Sequence, residues 1–176
     1  MKFKLKAKAI LGAAAVMIGM FAPTFSANAK NISLHDAVNT GNVEKVRELC
    51  SLNVSMVNRP DAYQCYPIHC ATTLEVLRCL VEDYGAAVDV KDAMGRTPLH
   101  RFMIFVVSGE QEYVEAVNYL LQQGADLHAS DKDGVTPLSW LQGIRDKYIQ
   151  SGGDASLISR LESYCRSLEQ SRKIIL

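Results

Sequence analysis

The side chains best suited to chemistry in this chain are two cysteines and a histidine that stand close together. Cys65, His69 and Cys70 carry two thiols and an imidazole, the groups that ligate zinc or act as a nucleophile and its base. Their spacing matches none of the recurrent zinc patterns, and no fourth ligand accompanies them. We therefore predict neither a metal site nor a cofactor.

A Cys–His hydrolase is the other chemistry that these residues raise. His69 and Cys70 are consecutive, so on a helix their side chains diverge by about 100° and do not pair as nucleophile and base. The sequence also contains no G-x-S-x-G, H-E-x-x-H or glycine-rich phosphate loop. These observations favour a protein that is not an enzyme.

The residues around His69 recur along the chain, which points to structure rather than catalysis. Tyr66-Pro67-Ile68-His69 is followed 31 residues later by Thr97-Pro98-Leu99-His100, and after another 39 by Thr136-Pro137-Leu138-Ser139. Ser33-Leu34-His35-Asp36-Ala37 is a fainter copy near the front. Such a period predicts stacked supersecondary units.

The third copy shows how each unit should fold. Gly95 permits the positive φ of a tight turn, the Thr97 hydroxyl is placed to cap a helix, and Pro98 suits the first helical position. A second helix is predicted at about residues 113–123, and Gly124 ends it. Each unit should therefore be a turn followed by two antiparallel helices.

This pattern resembles the ankyrin repeat, D-x-x-G-x-T-P-L-H-x-A…V-x-x-L-L…G-A-D, over residues 32–168. The resemblance implies an all-α repeat solenoid of about four ankyrin-type helix-turn-helix repeats, at about residues 32–61, 62–91, 92–130 and 131–170. The repeats would fill a domain of residues 30–170, before a C-terminal tail of residues 171–176.

The copies depart from the family pattern in ways that predict local differences. The second should have a clipped helix pair, and extra residues around 106–112 should lengthen the first helix or the loop of the third. Phe102 and Met103 stand where the family usually has small residues, which puts close stacking there in question. Asp154 should cap a last helix over residues 155–170.

The resemblance also implies roles for individual residues. In ankyrin repeats the histidine usually hydrogen-bonds backbone and holds the turn against the next repeat. That structural role is implied for His35, His69 and His100, and a structural role also for Pro67, Pro98 and Pro137. The turn tips and first helices would form a concave surface that binds a protein partner without catalysis. The candidate partner-binding residues are Arg59, Tyr63, Met94, Arg96, Arg101, Lys132 and Trp140.

Trp140, the only tryptophan, has two interpretations. It is an aromatic anchor for a partner, or it covers the end of the hydrophobic core. The second is favoured because a terminal repeat needs covering.

Residues 1–29 have the features of a secretory signal peptide. Four lysines within residues 2–8 precede an apolar stretch over residues 9–22, and Ala27-Asn28-Ala29 forms an A-x-A cleavage site. The stretch is shorter than the ~20 residues of a spanning helix, so we expect cleavage and no membrane anchor afterwards. The lysine-rich start is typical of bacteria. We predict a periplasmic or secreted interaction module of the bacterial envelope; the alternative is a secreted effector or toxin-associated factor that binds a host or foreign protein.

Charge and cysteine content restrict the partners further. The chain has 19 basic and 19 acidic residues, and loss of residues 1–29 would leave a net charge of −4. A mildly acidic, unpatterned surface argues against nucleic acid or anionic membrane, so we expect an unidentified protein partner and a monomer.

The five cysteines leave the disulfide connectivity open. An odd count leaves at least one thiol unpaired. Cys50 and Cys79 fall on apolar helix faces, which predicts burial as small hydrophobic residues. Cys65 and Cys70 could bridge only if their turn brings the Cα atoms within about 7 Å.

The signal-peptide prediction is tested by the mass of the exported protein. Cleavage after Ala29 should give a mature chain that begins at Lys30, because the A-x-A site ends there. Intact-mass analysis of the secreted or periplasmic fraction measures this directly. An exported species that keeps residues 1–29 would contradict the predicted location.

Overall fold

This computed structural model describes residues 32–171. They contain seven α-helices and three short helical segments of other types, joined by turns and loops. Two 3-10 helices, Val54–Asn58 and Pro67–Cys70, and a π-helical turn, Cys79–Asp83, complete the helical segments. Residues 32–171 contain no strand, so the all-α prediction is confirmed. The α-helices are α1 Leu34–Asn39, α2 Val43–Leu52, α3 Leu74–Arg78, α4 Pro98–Val106, α5 Gln111–Gln122, α6 Pro137–Gln150 and α7 Ala155–Ser171.

The helices form two stacked rows. In one row, α1 packs against the 3-10 helix Pro67–Cys70, which packs against α4, and α4 packs against α6. In the other row, α2 packs against α3, and α3 packs against α5. The pairs α1–α2, α4–α5 and α6–α7 join the rows. The predicted signal peptide, residues 1–29, lies outside the described residues, as does the predicted tail except for Ser171, where α7 ends.

Helix starts follow from capping side chains. The Ser33 hydroxyl accepts the Asp36 amide at 3.1 Å, and the Thr73 hydroxyl accepts the Val76 amide at 3.2 Å. Asp154 caps α7 as predicted, because its Oδ1 accepts the amides of Ser156 and Leu157. Each satisfies amides that have no partner inside their own helix.

The units differ in length where the sequence differs. In the second unit, the first helix is reduced to a single 3-10 segment and α3 ends in a π-helical turn. In the third unit, α4 is nine residues long against six for α1, and the loop of residues 107–110 follows it. The rings of Phe105 and Tyr113 stack across this loop with centroids 5.0 Å apart. The extra residues therefore lengthen both the helix and its connection.

One hydrophobic core runs through all the helices. Leu99 and Leu120 are fully buried in it, and so are Phe102 and Met103. The two bulky side chains that put close stacking in question are therefore accommodated between the rows, with 2% and 0% of their surface exposed. Cys50 and Cys79 are buried in the same core, as the sequence predicted.

The second, third and fourth units begin with turns of one geometry. We call these the first turn (residues 61–65), the second turn (92–96) and the third turn (131–135). In each, the amide of the leading aspartate donates to the carbonyl of the fifth residue at 2.9 Å. The aspartate Oδ1 accepts two amides of its own turn at 2.8–2.9 Å. The side chain thus replaces backbone partners that a strand would supply.

The fourth residue of each turn adopts a positive φ. It is Gly95 at +78° in the second turn, Gly134 at +76° in the third, and Gln64 at +56° in the first. A left-handed backbone suits glycine and strains a residue with a Cβ. The sequence did not predict this conformation for Gln64.

Gly95 and Gly134 form a matched pair for a stability test. Alanine is strained at either φ, but at Gly95 its Cβ would also lie 3.0 Å from the Lys132 backbone nitrogen, whereas nothing lies within 4 Å at Gly134. Gly134→Ala should cost about 1 kcal/mol and Gly95→Ala about 2–3 kcal/mol of unfolding free energy. Urea melts followed by circular dichroism measure both. Equal losses would contradict the close approach of the second and third turns.

Candidate functional site

The turns form a continuous row because their backbones bond to one another. The Ala93 amide donates to the Tyr63 carbonyl at 3.2 Å, and the Lys132 amide donates to the Met94 carbonyl at 3.0 Å. Residues in neighbouring turns are therefore held side by side. This row of turn tips is the candidate functional site.

In each of the first three units a histidine contacts the turn of the next unit. The Nε2 atoms of His35, His69 and His100 lie 2.8, 3.0 and 3.1 Å from the carbonyl oxygens of Cys65, Arg96 and Val135. Each of these oxygens belongs to the fifth residue of a turn, and it also accepts the leading aspartate's amide. The histidines therefore connect three consecutive pairs of units through one type of contact.

The hydrogen bonds of the second ring nitrogen determine the tautomer. His69 Nδ1 accepts the Tyr66 amide at 3.1 Å, and His100 Nδ1 accepts the Thr97 amide at 3.0 Å. A nitrogen that accepts an amide proton carries none itself, so Nε2–H is the donor to the turn carbonyl. The Thr97 hydroxyl also contacts His100 Nδ1, at 2.9 Å, a partner that the sequence did not predict.

The prolines and the fourth unit complete this pattern. Pro67, Pro98 and Pro137 are buried at the starts of their helices, where a missing amide costs nothing. In the fourth unit Ser139 replaces the histidine, and its hydroxyl accepts the Thr136 amide at 2.8 Å. Beyond α6, residues 151–171 contain no further turn of the aspartate-led geometry for a histidine to reach.

Burial keeps His69 and His100 neutral. It lowers the pKa of His69 to about 4 and lowers the pKa of His100 as well. A charged imidazole could not accept the amide at Nδ1. The neutral form is therefore the one that stabilises the stack.

Arg96 was predicted to bind a partner, but its guanidinium is engaged inside its own turn. Its Nη2 and Nε lie 3.0 and 3.1 Å from Oδ2 of Asp92, which is buried. Burial raises the pKa of Asp92, but the hydrogen bonds from the turn amides and the charge of Arg96 outweigh it, so the pKa lies below its usual range. Arg96 therefore neutralises a buried carboxylate rather than presenting a free charge.

The other predicted tip residues are exposed. Tyr63 and Met94 are 61% and 48% exposed and occupy the same position in neighbouring turns, while Lys132 is exposed in the third turn. Arg59 is exposed just before the first turn, at the end of the 3-10 helix Val54–Asn58. The structure thus brings Tyr63, Met94 and Lys132 together and leaves Arg59 at the edge.

The two predicted residues on first helices are half-buried. The charge of Arg101 acts on the side chains of Cys65, His69 and Cys70, although hydrogen bonding and burial have the larger effects on their pKa values. Trp140 packs against the hydrophobic core from α6, an arrangement that fits a cover over the core. Both side chains are less exposed than those of Tyr63 and Met94.

The leading aspartates of the turns are structural residues whose hydrogen bonds to the turn amides were not predicted. Asp61, Asp92 and Asp131 each stand six residues before the proline of their unit, so a positional signal was present.

Within residues 32–171, no three metal-binding side chains cluster, and no helix is long and apolar enough to cross a membrane.

Comparison with known proteins agrees with this geometry. A family model described as ankyrin repeats, in three copies, matches residues 34–131. Ankyrin repeat domain-containing protein 53 of Homo sapiens is 37% identical over 106 residues, which cover 58% of this chain and 19% of that protein. Transient receptor potential cation channel subfamily A member 1 of Drosophila melanogaster is 27% identical over 115 residues, covering 61% of this chain and 9% of that protein.

A third relative matches over a shorter stretch. Alpha-latroinsectotoxin-Lt1a of Latrodectus tredecimguttatus is 27% identical over 77 residues, which cover 44% of this chain and 5% of that protein. The chain thus spans 19% or less of the length of each of these three relatives. The predicted resemblance to ankyrin repeats is confirmed.

Mild acid should destabilise the stack through its histidines. His69 has a pKa of about 4 in the folded chain and near 6.5 when unfolded, so its contribution is complete above pH 6.5 and is lost as pH falls towards 4. At pH 5 the loss relative to pH 7.5 should be about 2 kcal/mol from His69, with a further part from His100. Urea melts at both pH values measure it.

The matching variants separate His69 from the other titrating groups. His69→Gln keeps one acceptor and one donor but does not titrate, so it should lower stability at pH 7.5 and flatten the dependence between pH 5 and 7.5. His128→Gln, at an exposed loop position, should leave that dependence unchanged. An equal loss between pH 7.5 and 5 in the wild type and in His69→Gln would contradict the assigned role.

Proposed function

Because the chain belongs to the ankyrin-repeat family, we propose that its row of turn tips binds one protein partner without catalysis. Ankyrin repeats form protein–protein interaction modules and are typically non-catalytic. The binding residues proposed for this chain are Tyr63, Met94 and Lys132. Arg59 and Arg101 are proposed for the edges of the same surface.

The observation that carries this proposal is the adjacency of two exposed apolar side chains on rigid turns. Tyr63 and Met94 are among the few large apolar side chains with about half or more of their surface exposed. The hydrogen bond from the Ala93 amide to the Tyr63 carbonyl joins the first and second turns. His69 holds the second turn through its hydrogen bond to the Arg96 carbonyl. Tyrosine and methionine are enriched at protein interfaces, and a side chain on a fixed backbone loses little entropy on binding.

The charges of the row indicate the kind of partner surface that fits. Lys132 and Asp133 are both exposed in the third turn, next to the apolar pair, while Arg96 is already neutralised by Asp92. An apolar centre with a polar rim of both signs is the usual composition of a protein interface. The partner should therefore offer an apolar patch flanked by at least one acidic side chain for Lys132.

We also propose export, on the basis of the signal-peptide features of residues 1–29. The partner would then be a protein of the bacterial envelope. The second possibility, an effector that binds a host or foreign protein, has the same binding surface. Fractionation distinguishes them, since retention in the periplasm supports the envelope partner and release into the medium supports the effector.

A triple substitution tests the tip row. Tyr63→Glu, Met94→Glu and Lys132→Glu should weaken partner binding by at least about tenfold, because they remove the apolar pair and invert the charge beside it. A circular-dichroism melt should change little, since all three side chains are exposed. Binding is measured with a partner captured by the wild-type protein from its native envelope.

The matched control carries the same change in charge elsewhere on the surface. Leu52→Glu, Ile149→Glu and Lys147→Glu replace two exposed apolar residues and one exposed lysine outside the turns. This control should bind as the wild type does. Affinity within twofold of the wild type for the tip variant, or a loss confined to the control, would rule out the tip row as the binding surface.

A further inference from the structure

Two thiols meet where the first turn enters the second unit. Cys65 is the last residue of the first turn, and Cys70 is the last residue of the 3-10 helix Pro67–Cys70. Their Sγ atoms lie 3.7 Å apart, within hydrogen-bonding distance for sulfur. The short helix brings the chain back on itself through the bond from the His69 amide to the Tyr66 carbonyl, 2.9 Å long.

This separation places the two sulfurs in contact. Formation of a disulfide would bring the Sγ atoms from 3.7 Å to about 2.05 Å. The other three cysteines, Cys50, Cys79 and Cys165, are buried in the hydrophobic core. Cys65 and Cys70 differ from these three in that their sulfurs lie within hydrogen-bonding distance of each other.

We propose that Cys65 and Cys70 form a redox-active dithiol, which an external low-molecular-weight disulfide oxidises to an intramolecular disulfide. This proposal is independent of the protein-binding function, because it concerns only the connection between the first turn and the 3-10 helix that follows.

The two thiols have different roles because their surroundings differ. Cys70 is half-buried and within reach of solvent, whereas Cys65 is 1% exposed. Hydrogen bonding to Cys65 lowers the pKa of Cys70 against the opposing effect of burial, and the nearby charge of Arg101 lowers it further. The same hydrogen bond, together with burial, raises the pKa of Cys65. Cys70 is therefore the attacking thiolate and Cys65 the resolving thiol.

The reaction proceeds in two exchanges. The Cys70 thiolate attacks one sulfur of the external disulfide, forms a mixed disulfide and releases the first external thiolate. Cys65 then gives up its proton, and its thiolate attacks Sγ of Cys70 and releases the second external thiolate. The protons lost by the two cysteines end on the two external thiolates. The protein loses two electrons, and the external disulfide is reduced to two thiols.

Oxidation would act at a contact between units. The carbonyl of Cys65 accepts His35 Nε2 at 2.8 Å and the Asp61 amide at 2.9 Å. A disulfide would link Cys65 covalently to Cys70 at the end of the 3-10 helix. The first turn, which His35 contacts, would then be held more rigidly against that helix. The redox state of the pair thus affects the first junction of the stack.

The test exposes the reduced, purified protein to glutathione disulfide and then alkylates the remaining thiols. We expect three alkylated cysteines instead of five, and before alkylation a mass about 2 Da below the reduced protein. Tandem mass spectrometry of the tryptic peptide of residues 48–78 should place the bond between Cys65 and Cys70. That peptide also contains Cys50, so it reports a wrong pairing as well.

Single variants test the order of attack. Cys65→Ala should accumulate one glutathione on Cys70, because no resolving thiol remains, at least about tenfold faster than Cys70→Ala accumulates one on Cys65. In concentrated urea this difference should disappear, since it depends on the folded surroundings. Circular dichroism checks that each variant is folded. If a variant does not fold, the mass measurement on the wild-type protein still tests whether the disulfide forms.

Three results would overturn the proposal. They are five alkylated cysteines at every ratio of glutathione disulfide to glutathione, a disulfide that contains Cys50, Cys79 or Cys165 in place of the proposed pair, and equal rates for the two folded variants.

Discussion

One hydrogen bond recurs at each junction of this protein: a histidine donates from Nε2 to the carbonyl of the fifth residue in the next turn. His35, His69 and His100 make it in succession. In His69 and His100, Nδ1 accepts an amide of the same unit, so Nδ1 is unprotonated and the ring proton sits on the Nε2 that donates to the carbonyl. Each histidine thereby joins the start of its own helix to the turn ahead, and the stack has the same connection from unit to unit.

The position of the turn tips follows from this connection. The carbonyl oxygen of the fifth turn residue accepts two hydrogen bonds, one from the histidine and one from the amide of the leading aspartate. One atom therefore both closes the turn and connects it to the preceding unit. The exposed side chains of Tyr63 and Met94 project from turns fixed in this way. Cys65 belongs to the same construction, because its carbonyl serves His35 while its thiol faces Cys70. The first turn therefore carries both Tyr63 of the proposed binding surface and Cys65 of the proposed dithiol.

The units keep these contacts while other features vary. The second unit replaces its first helix by a 3-10 segment, and the third lengthens α4 and its loop, yet both retain the histidine contact. The first helices and the loop after α4 vary, whereas the contact with the next turn is retained. This is expected of a stack in which each unit contacts only its neighbours, since a change inside one unit leaves the other junctions intact.

The sequence by itself determined the features that depend on local chemistry: the turns, the helix starts at Pro67 and Pro98, and the all-α repeat fold, because proline, glycine and the repeated spacing act within one unit. Tertiary structure decided what depends on neighbouring units or on the path of the chain. The ion pair that occupies Arg96 requires a buried Asp92, and the 3.7 Å between the thiols requires the short helix to fold back on the turn. The positive φ of Gln64 was likewise beyond prediction, since only the geometry shared with the other turns imposes it on a residue that carries a Cβ.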